Sequence, residues 1–471
     1  MKEKIVIFWF RQDLRLADNP ALSEAAAGVG RLLPIYILDD THPEDYAMGG
    51  ASRWWLHHSL ASLKSDLNEC LSFYCGSPMT IFSDLLQRYE VATVCWNRCY
   101  EPWRIERDKQ LKHFLQEQGV EVISCNGSLL WEPWKVLKSD GTPYKVFTPF
   151  FRNGCLSAEM PRKPLSKPKE LKCIADDQGA LQLNDLGLLP KIRWDEQLKP
   201  HWEIGEKGAS KKFRQFVAQS LTNYKQGRNF PAEPYVSKLS PHIHFGEVSP
   251  NQLWHGVGQA GNDVNVDCFQ SELGWREFSY SLLYHFPNLP KQNLQAKFDN
   301  FPWASNTEHL RAWQQGQTGV PMVDAGMREL WQTGSMHNRV RMIVGSFLVK
   351  NLRLHWHHGE RWFWDTLVDA DLANNSAGWQ WIAGCGADAA PYFRIFNPVT
   401  QGQKFDPDGI YIRKYIPEIA SLPDKYLFNP WEAPEAVLQK SSIEIGKTYP
   451  APIVSLKSSR AAALQAFQSL S

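Results

Sequence analysis

Between Thr333 and Pro398 the sequence interleaves five tryptophans, Trp356, Trp362, Trp364, Trp379 and Trp381, with Asn338, Arg339, Arg341, Asp369, Asp371 and Asn375. Bulky aromatic surface alternates at short range with hydrogen-bonding groups, a mixture suited to a flat ligand with polar edges. A core needs no amides, guanidiniums or carboxylates among its indoles, since burying such groups unpaired costs roughly 1–3 kcal/mol each. Asn338 and Met342, four residues apart on a helical period, share a face, and Arg341 lies three from Asn338. An amide edge thus sits beside a soft apolar contact. Glu272 and Trp275 share another helical face with Arg276 next to them, pairing a carboxylate that could bind a ring edge with an indole that could stack on it. Asn375 stands four residues before Trp379 and could present an uncharged amide to whatever that indole borders. Each set has a plainer alternative. Asn338 and Met342 could be a helix-packing face, Glu272 and Trp275 a surface ion pair and a core ring, and the two aspartates caps of a helix or turn.

The elements that must position these groups fall into two patterns. Short apolar runs at residues 5–10, 32–38, 79–82, 93–96 and 121–124 read as strands, separated by helical patterns of which 51–74 and 102–118 are the clearest. Strands alternating with crossover helices imply a doubly wound parallel sheet over residues 1–130, with any ligand at the carboxyl ends of the strands. A Pro-, Lys- and Gly-bearing connector spans 131–200 and includes PRKPLSKPKELK at 161–172. Beyond it, residues 210–224, 252–259, 269–285, 306–315, 323–334 and 336–356 carry apolar positions at helical spacing, so residues 201–471 form a mostly α domain.

Composition narrows the classes further. With 471 residues, 43% hydrophobic and 21% charged, the chain is long enough for two or three ordinary domains. Its 20 tryptophans must largely line a core or a binding site. A formal net charge of +1 gives no global nucleic-acid signal, so any DNA site must be a local patch. Nine cysteines without metal-ligand spacing fit free thiols in a reducing compartment. The first apolar run, broken by Arg11, is too short for a signal peptide or a membrane span, and a cytoplasmic monomer is expected.

The sequence resembles the DNA photolyase and cryptochrome family. FWFRQDLRLADN at 8–19, YKVFTPF at 144–150, LSPHIHFGEVSP at 239–250, GWREF at 274–278, MHNR at 336–339, NNSAGWQW at 374–381, FRIFNP at 393–398 and QGQKFD at 401–406 carry the likeness in order. Within the family the chain looks most like a bacterial class I photolyase for cyclobutane pyrimidine dimers. The resemblance implies a flavin, FAD, among the C-terminal helices. It assigns Tyr224, Val236, Ser237, Lys238, Leu239, Ser240, Glu272, Arg276, Asn338, Arg341, Asp369, Asp371 and Asn375 to binding it, with Arg341 and Asp369 paired beside its ring. It places Glu272, Trp275, Asn338, Met342 and Trp381 around a flipped dimer, with Asn375 at the reactive ring of the flavin. Trp303, Trp356 and Trp379 match an electron-transfer chain, although core packing alone would also account for each ring.

Ultraviolet-damaged DNA is the implied partner, met by Arg228, Trp275, Arg339, Arg394, Gln401 and Lys404. Flipping takes the dimer out of the stack, a step for which the general account of base flipping names photolyases as an example. NRCYEPWRIERD at 97–108 follows a strand, where family members carry a light-harvesting chromophore. Trp103 and Arg104 stand where folate-binding relatives have Asn and Glu, so a folate, a deazaflavin and a flavin all stay open. Val236 replaces a hydroxyl residue near the flavin phosphates, and Ser335 replaces a usual Trp. The implied activity is light-driven dimer repair, a carbon–carbon lyase reaction. The alternative is a cryptochrome photoreceptor, disfavoured by the mere 65 or so residues that follow Asp406. A (6-4) photoproduct enzyme would need paired histidines where His337 precedes Asn338.

Overall fold

The computed structural model describes residues 4–175 and 177–470; positions 1–3, 176 and 471 of the expected spans lie outside the described residues. A five-stranded sheet opens the chain: β1 (Lys4–Phe10), β2 (Arg31–Leu38), β3 (Ser72–Cys75), β4 (Glu90–Asn97) and β5 (Glu121–Cys125). All pairs are parallel, in the order β3-β2-β1-β4-β5. β1 is a nearly unbroken apolar run because both its faces are covered. Val6, Phe8 and Phe10 pack with Leu22 of α1 (Pro20–Ala27) and with Trp54, Leu60 and Leu63 of α2 (Gly50–Asp66). Ile5, Ile7 and Trp9 point the other way, to Phe82 and Leu85 of α3 (Pro78–Arg88) and Leu111 and Leu115 of α4 (Pro102–Glu117). The chain winds in opposite directions from β1 and β4, so the carboxyl ends of those strands make the switch point of a doubly wound sheet. The expected fold class, this sheet followed by a helical region, holds.

One strand is displaced from its expected place. Residues 79–82 lie in α3, and the strand is Ser72–Cys75, overlapping the end of the span expected to be helical to residue 74. Pro78 sets the first turn of α3, and a four-residue apolar window is too short to separate the two periods. α2 stops at Asp66 because Asn68 and Glu69 take left-handed φ values of 51° and 66°, without a glycine or proline to announce it.

By compactness the chain forms two units. The first comprises Met1–Leu221, Ser237–Pro287 and Val368–Ala373; the second comprises Thr222–Val236, Asn288–Leu367 and Asn374–Ser471. These limits differ from the expected spans 1–130, 131–200 and 201–471. The connector belongs to the first unit, where Leu186, Leu188 and Leu198 join the same core as Phe8 and Trp55, and Leu32 and Phe73 bridge to Cys173 and Leu181. The first unit also holds α5 (Glu206–Gln219), α6 (Pro250–Ala260) and α7 (Val264–His285).

The second unit contains α8 (Thr307–Gln314), α9 (Pro321–Thr333), α10 (Asn338–Ser346), α11 (Trp356–Thr366), most of α12 (Leu372–Ala383), α13 (Pro398–Phe405) and α14 (Leu456–Gln468). α9 and α10 touch at Gly326, where a Cβ would stand 2.4 Å from Val340 Cγ1, so only glycine permits that approach. The single helix expected at 336–356 is instead two. α10 passes into a π-helical turn, Phe347–Asn351, and Arg353, at φ 52°, turns the chain before α11. The apolar period runs through the break because residues 343–350 are all buried. No helix among the described residues is long and apolar enough to cross a membrane, and no group of three or more His, Cys, Asp or Glu side chains there could hold a metal.

Candidate functional site

In the first unit, α7 carries Glu272, Trp275 and Arg276 after Asp263 caps its start by accepting from Asn265 N and Val266 N. The Trp275 indole is half-buried and stacks on Phe147, ring centres 3.8 Å apart and planes 9° from parallel. One of its faces is thereby taken by the protein. Arg276 donates to Ser128 O at 2.8 Å and to Glu277 at 3.2 Å, with its guanidinium 4.7 Å over the Tyr280 ring. Glu277 accepts from Leu130 N and Trp131 N; burial pushes its carboxyl up to about 7 against the pull of Arg276 and these donors.

Asp371 accepts from the Tyr280 hydroxyl at 2.5 Å and from His244 Nδ1 at 3.4 Å. Burial alone would raise its carboxyl, but His244, Arg276 and Tyr280 outweigh it and hold the group at about 2. It is therefore a buried anion, with the Arg276 guanidinium and two hydrogen-bonding partners around it. Asp369 accepts from Ser240 Oγ at 2.5 Å. Ser237 and Lys238 precede it in a turn where Lys238 has φ 51° and Leu239 is buried, leaving the lysine and the Ser240 side exposed.

At the switch point of the sheet, Trp103 on α4 lies under two guanidiniums, Arg104 at 4.8 Å and Arg107 at 5.2 Å. Arg107 pairs with Asp39 at 3.0 Å and Asp108 at 2.8 Å, and Arg11 also pairs with Asp108. Among the described residues, Trp9 Nε1, Arg11 Nε, Glu101 Oε2 and Arg104 Nε are buried there without a hydrogen-bond partner.

In the second unit, His337 caps α10 by accepting from Arg339 N at 3.2 Å, and its own N–H donates to Glu329 at 3.1 Å. Tyr411 steadies Glu329 with a 2.6 Å hydrogen bond. This brace fixes the start of the helix that carries Asn338, which is exposed, and Arg341 and Met342, which are half-buried. Arg341 Nε donates to Met336 O at 2.8 Å. Ser335, at one departure from the family pattern, is engaged in a turn with Thr333. Val236, at the other, is half-buried in a stretch assigned to the second unit.

Arg339 donates to Asn229 and lies 4.4 Å over Phe405, which also packs against Phe230 at 6.1 Å. Burial and the nearby Arg228 lower the proton affinity of Arg339, so the two cations are close. Arg228 stands 5.5 Å over buried Tyr224, and Lys404 lies 5.2 Å from Phe405. Two of the DNA candidates, Arg339 and Lys404, thus share the Phe405 ring, and a third, Arg228, lies near Arg339. Gln401 lies one turn before Lys404 on α13, and Arg394 is exposed in the loop before that helix.

On α12, Asn375 Nδ2 donates to Glu360 O at 3.0 Å, which leaves Oδ1 as the accepting end. Burial pushes Glu360 up to about 7 although Ser376 Oγ donates to it at 2.5 Å. Trp381 is half-buried on the same helix. Trp379 is buried against Phe363 and Trp313, at 5.0 Å and 6.2 Å, and its Nε1 has no partner among the described residues. Gly359, three residues after Trp356 on α11, touches the Trp379 ring: a Cβ there would stand 2.0 Å from Cη2. Trp356 is fully buried and donates to Asn293 at 2.9 Å. His355 sits between Trp303 and Trp356, with ring centres 5.0 Å and 5.6 Å away.

Phe147, Phe405, His355 and Gly359 complete these clusters although sequence reasoning did not single them out. Phe147 lies within the YKVFTPF motif, which was the available signal. A flavin nucleotide fits the donor set, since it needs hydroxyl and ammonium donors for its phosphates and mixed polar and aromatic groups for its ring. Ser237, Lys238 and Ser240 are donors of the first kind; Trp379 Nε1, without a hydrogen-bond partner among the described residues, and the accepting Asn375 are groups of the second.

Residues 6–169 match the family model for DNA photolyase, and residues 269–469 match that for the FAD binding domain of DNA photolyase. A deoxyribodipyrimidine photo-lyase of Agrobacterium fabrum is 46% identical over 99% of this chain and 98% of its own. Cryptochrome-1 of Arabidopsis thaliana is 38% identical over 97% of this chain and 69% of its own. The crystal structure of a bacterial class III photolyase from Agrobacterium tumefaciens superposes with a TM-score of 0.95 at 45% identity, covering 100% of this chain and 98% of that one. That likeness corrects the expected nearness to class I, because MHNR, NNSAGWQW and FRIFNP lie within the shared FAD-binding region and mark the family, not the class. Full-length likeness to several photo-lyases makes this chain an enzyme of that lyase type, with an FAD-binding domain. The chain belongs to the DNA photolyase and cryptochrome family.

Proposed function

We propose that this enzyme repairs cyclobutane pyrimidine dimers in ultraviolet-damaged DNA under blue light, as a cytoplasmic monomer. The reading is carried by Trp275, an indole backed on one face by Phe147 at 3.8 Å and standing one helical turn after Glu272. Such a pair stacks a pyrimidine ring and binds its polar edge, as a flipped base requires. Asn338, Met342 and Trp381 supply the remaining amide and apolar contacts to the lesion. Bound FAD, when reduced, supplies the light absorption and the electron that opens the dimer.

The protein's own residues then have positioning and electrostatic tasks. Tyr224, Ser237, Lys238 and Ser240 hold phosphates; the backbone of Val236 and Leu239 completes that turn. Arg276, Asp371, Arg341 and Asp369 fix charge beside the cofactor. Asn375, its amide nitrogen committed to Glu360, offers an oxygen that accepts from a protonated ring nitrogen and adds no net charge. Trp303, Trp356 and Trp379 carry electrons inward when the flavin is oxidised. Arg228, Arg339, Arg394, Gln401 and Lys404 hold the DNA backbone. A second chromophore, a folate, deazaflavin or flavin, belongs at the switch point, where among the described residues four buried polar atoms lack a hydrogen-bond partner.

Blue-light repair of a dimer-containing oligonucleotide tests the reading. Glu272→Ala lowers dimer turnover by roughly tenfold, as for removal of one buried hydrogen-bonding group, while flavin content stays unchanged. Wild-type protein that photoreduces FAD but leaves dimers intact would instead mark a photoreceptor.

A further inference from the structure

Lys350 lies in the π-helical turn Phe347–Asn351 that follows α10, and its side chain is fully buried. Burying an ammonium costs several kcal/mol of hydration unless a counter-charge is near. Among the described residues no carboxylate pairs with it. Its Nζ donates to the carbonyl oxygen of Arg394 at 3.0 Å and lies 5.1 Å from the ring centre of Tyr392. Burial pushes the ammonium down to about 8, and the charge of Arg394 adds to the effect. Ser346, one helical turn earlier, accepts from Phe396 N at 3.2 Å. Two groups on one helical edge thus tether both ends of the stretch Arg394–Phe396 in an otherwise irregular loop.

The pinned stretch leads straight into α13. Asn397 caps that helix by accepting from Val399 N at 3.0 Å, and the helix carries Gln401 and Lys404. Just ahead of it, Phe393 is 64% exposed and Arg394 projects into solvent. A methionine would fill the Lys350 site without the hydration loss, since replacing a buried charge by an apolar group of similar volume is often neutral or stabilising. The lysine is therefore accounted for by what it holds, not by what it adds to folding.

We propose that Lys350 is a positioning residue for damaged DNA: its ammonium fixes the Arg394 carbonyl so that Arg394, Gln401 and Lys404 form one surface before DNA arrives. The inference rests on the DNA-repair reading above. A loop ordered in advance avoids an ordering cost of about 0.5–1.5 kcal/mol for each side chain that binding would otherwise immobilise.

The test compares Lys350→Met and Ser346→Ala with wild type, each as the full chain with FAD bound. Lys350→Met is expected to keep its flavin and its photoreduction rate and to melt no lower than wild type. Its KM for a dimer-containing oligonucleotide rises roughly tenfold with kcat unchanged. Amide hydrogen exchange at residues 394–396 accelerates in the same variant. Ser346→Ala, which removes the second tether, shifts KM and exchange in the same direction by less. Unchanged KM in both variants overturns the proposal, as does a raised KM with exchange at 394–396 unaltered. Should wild type show no preference for dimer-containing DNA, the repair reading fails, and exchange at 394–396 still decides whether Lys350 orders the loop.

Discussion

Gly359→Ala isolates the proposed electron path from the chemistry it feeds. The added Cβ would stand 2.0 Å from Trp379 Cη2 and 2.4 Å from Cζ2 and Cζ3, whereas ordinary contact begins at 3.4 Å. Ring or helix must therefore yield by about 1.4 Å, the difference between 3.4 and 2.0 Å. Little slack exists nearby, because Phe363 and Trp313 pack on the indole at 5.0 Å and 6.2 Å. Overpacking of this kind costs about 1–3 kcal/mol, which lowers the melting temperature by a few degrees in a protein of this size. The variant is expected to fold, bind FAD and lose photoreduction rate, since the displaced ring is one of the three proposed to carry electrons to the oxidised flavin. The assay is anaerobic bleaching of oxidised-flavin absorbance under blue light with an external reductant, followed by repair with chemically reduced enzyme. Repair by that reduced enzyme should match wild type. A wild-type photoreduction rate alongside the melting loss would remove Trp379 from the path, and lost repair after chemical reduction would give it a different task.

Two further expectations follow from the charged groups. Asp371 titrates at about 2, below its ordinary 3.8, so its ionised form favours the folded state. The sign is that of a depressed carboxylate: the contribution is complete above pH 3.8 and fades as pH falls toward 2. It amounts to roughly 2 kcal/mol, so Asp371→Asn should unfold more easily at pH 7 and the gap to wild type should narrow in acid, as read by denaturant titration. A gap independent of pH would mean that the carboxylate's charge is not what the site uses. Arg339→Ala should weaken binding to all DNA sequences alike and reduce the slope of log affinity against log salt by about 0.7–0.9; an unchanged slope would remove Arg339 from the phosphate contacts.

The sequence disclosed the parts of this molecule that conflict with ordinary packing. Asn338, Arg341, Asp371 and Asn375 stand out because polar groups spaced among tryptophans are not what a packed core uses, and the parallel sheet shows in the apolar run of Ile5–Phe10 because both its faces are covered. The displaced third strand escaped notice because Met79, Phe82 and Leu85 satisfy a helical period that four residues cannot reveal. Contacts made across long stretches of chain left no local trace. Phe147 lies 128 residues before the indole it backs, Gly359 matters only because Trp379 meets it, and Leu186 reads as connector until it joins the core beneath the sheet.

Lys350 shows the same limit from the opposite side. Among Phe347, Leu348 and Val349 it breaks an apolar run by one residue, which a helical pattern tolerates as an exposed position. Its burial appears only because the helix widens to a π turn and points the ammonium at a loop 44 residues away. The residue types that announce a ligand are thus legible one by one, while the groups that hold those residues in place are ordinary types in unusual surroundings. A glycine, a phenylalanine and a lysine acquire their roles here from close approach, from a covered ring face and from an uncompensated charge.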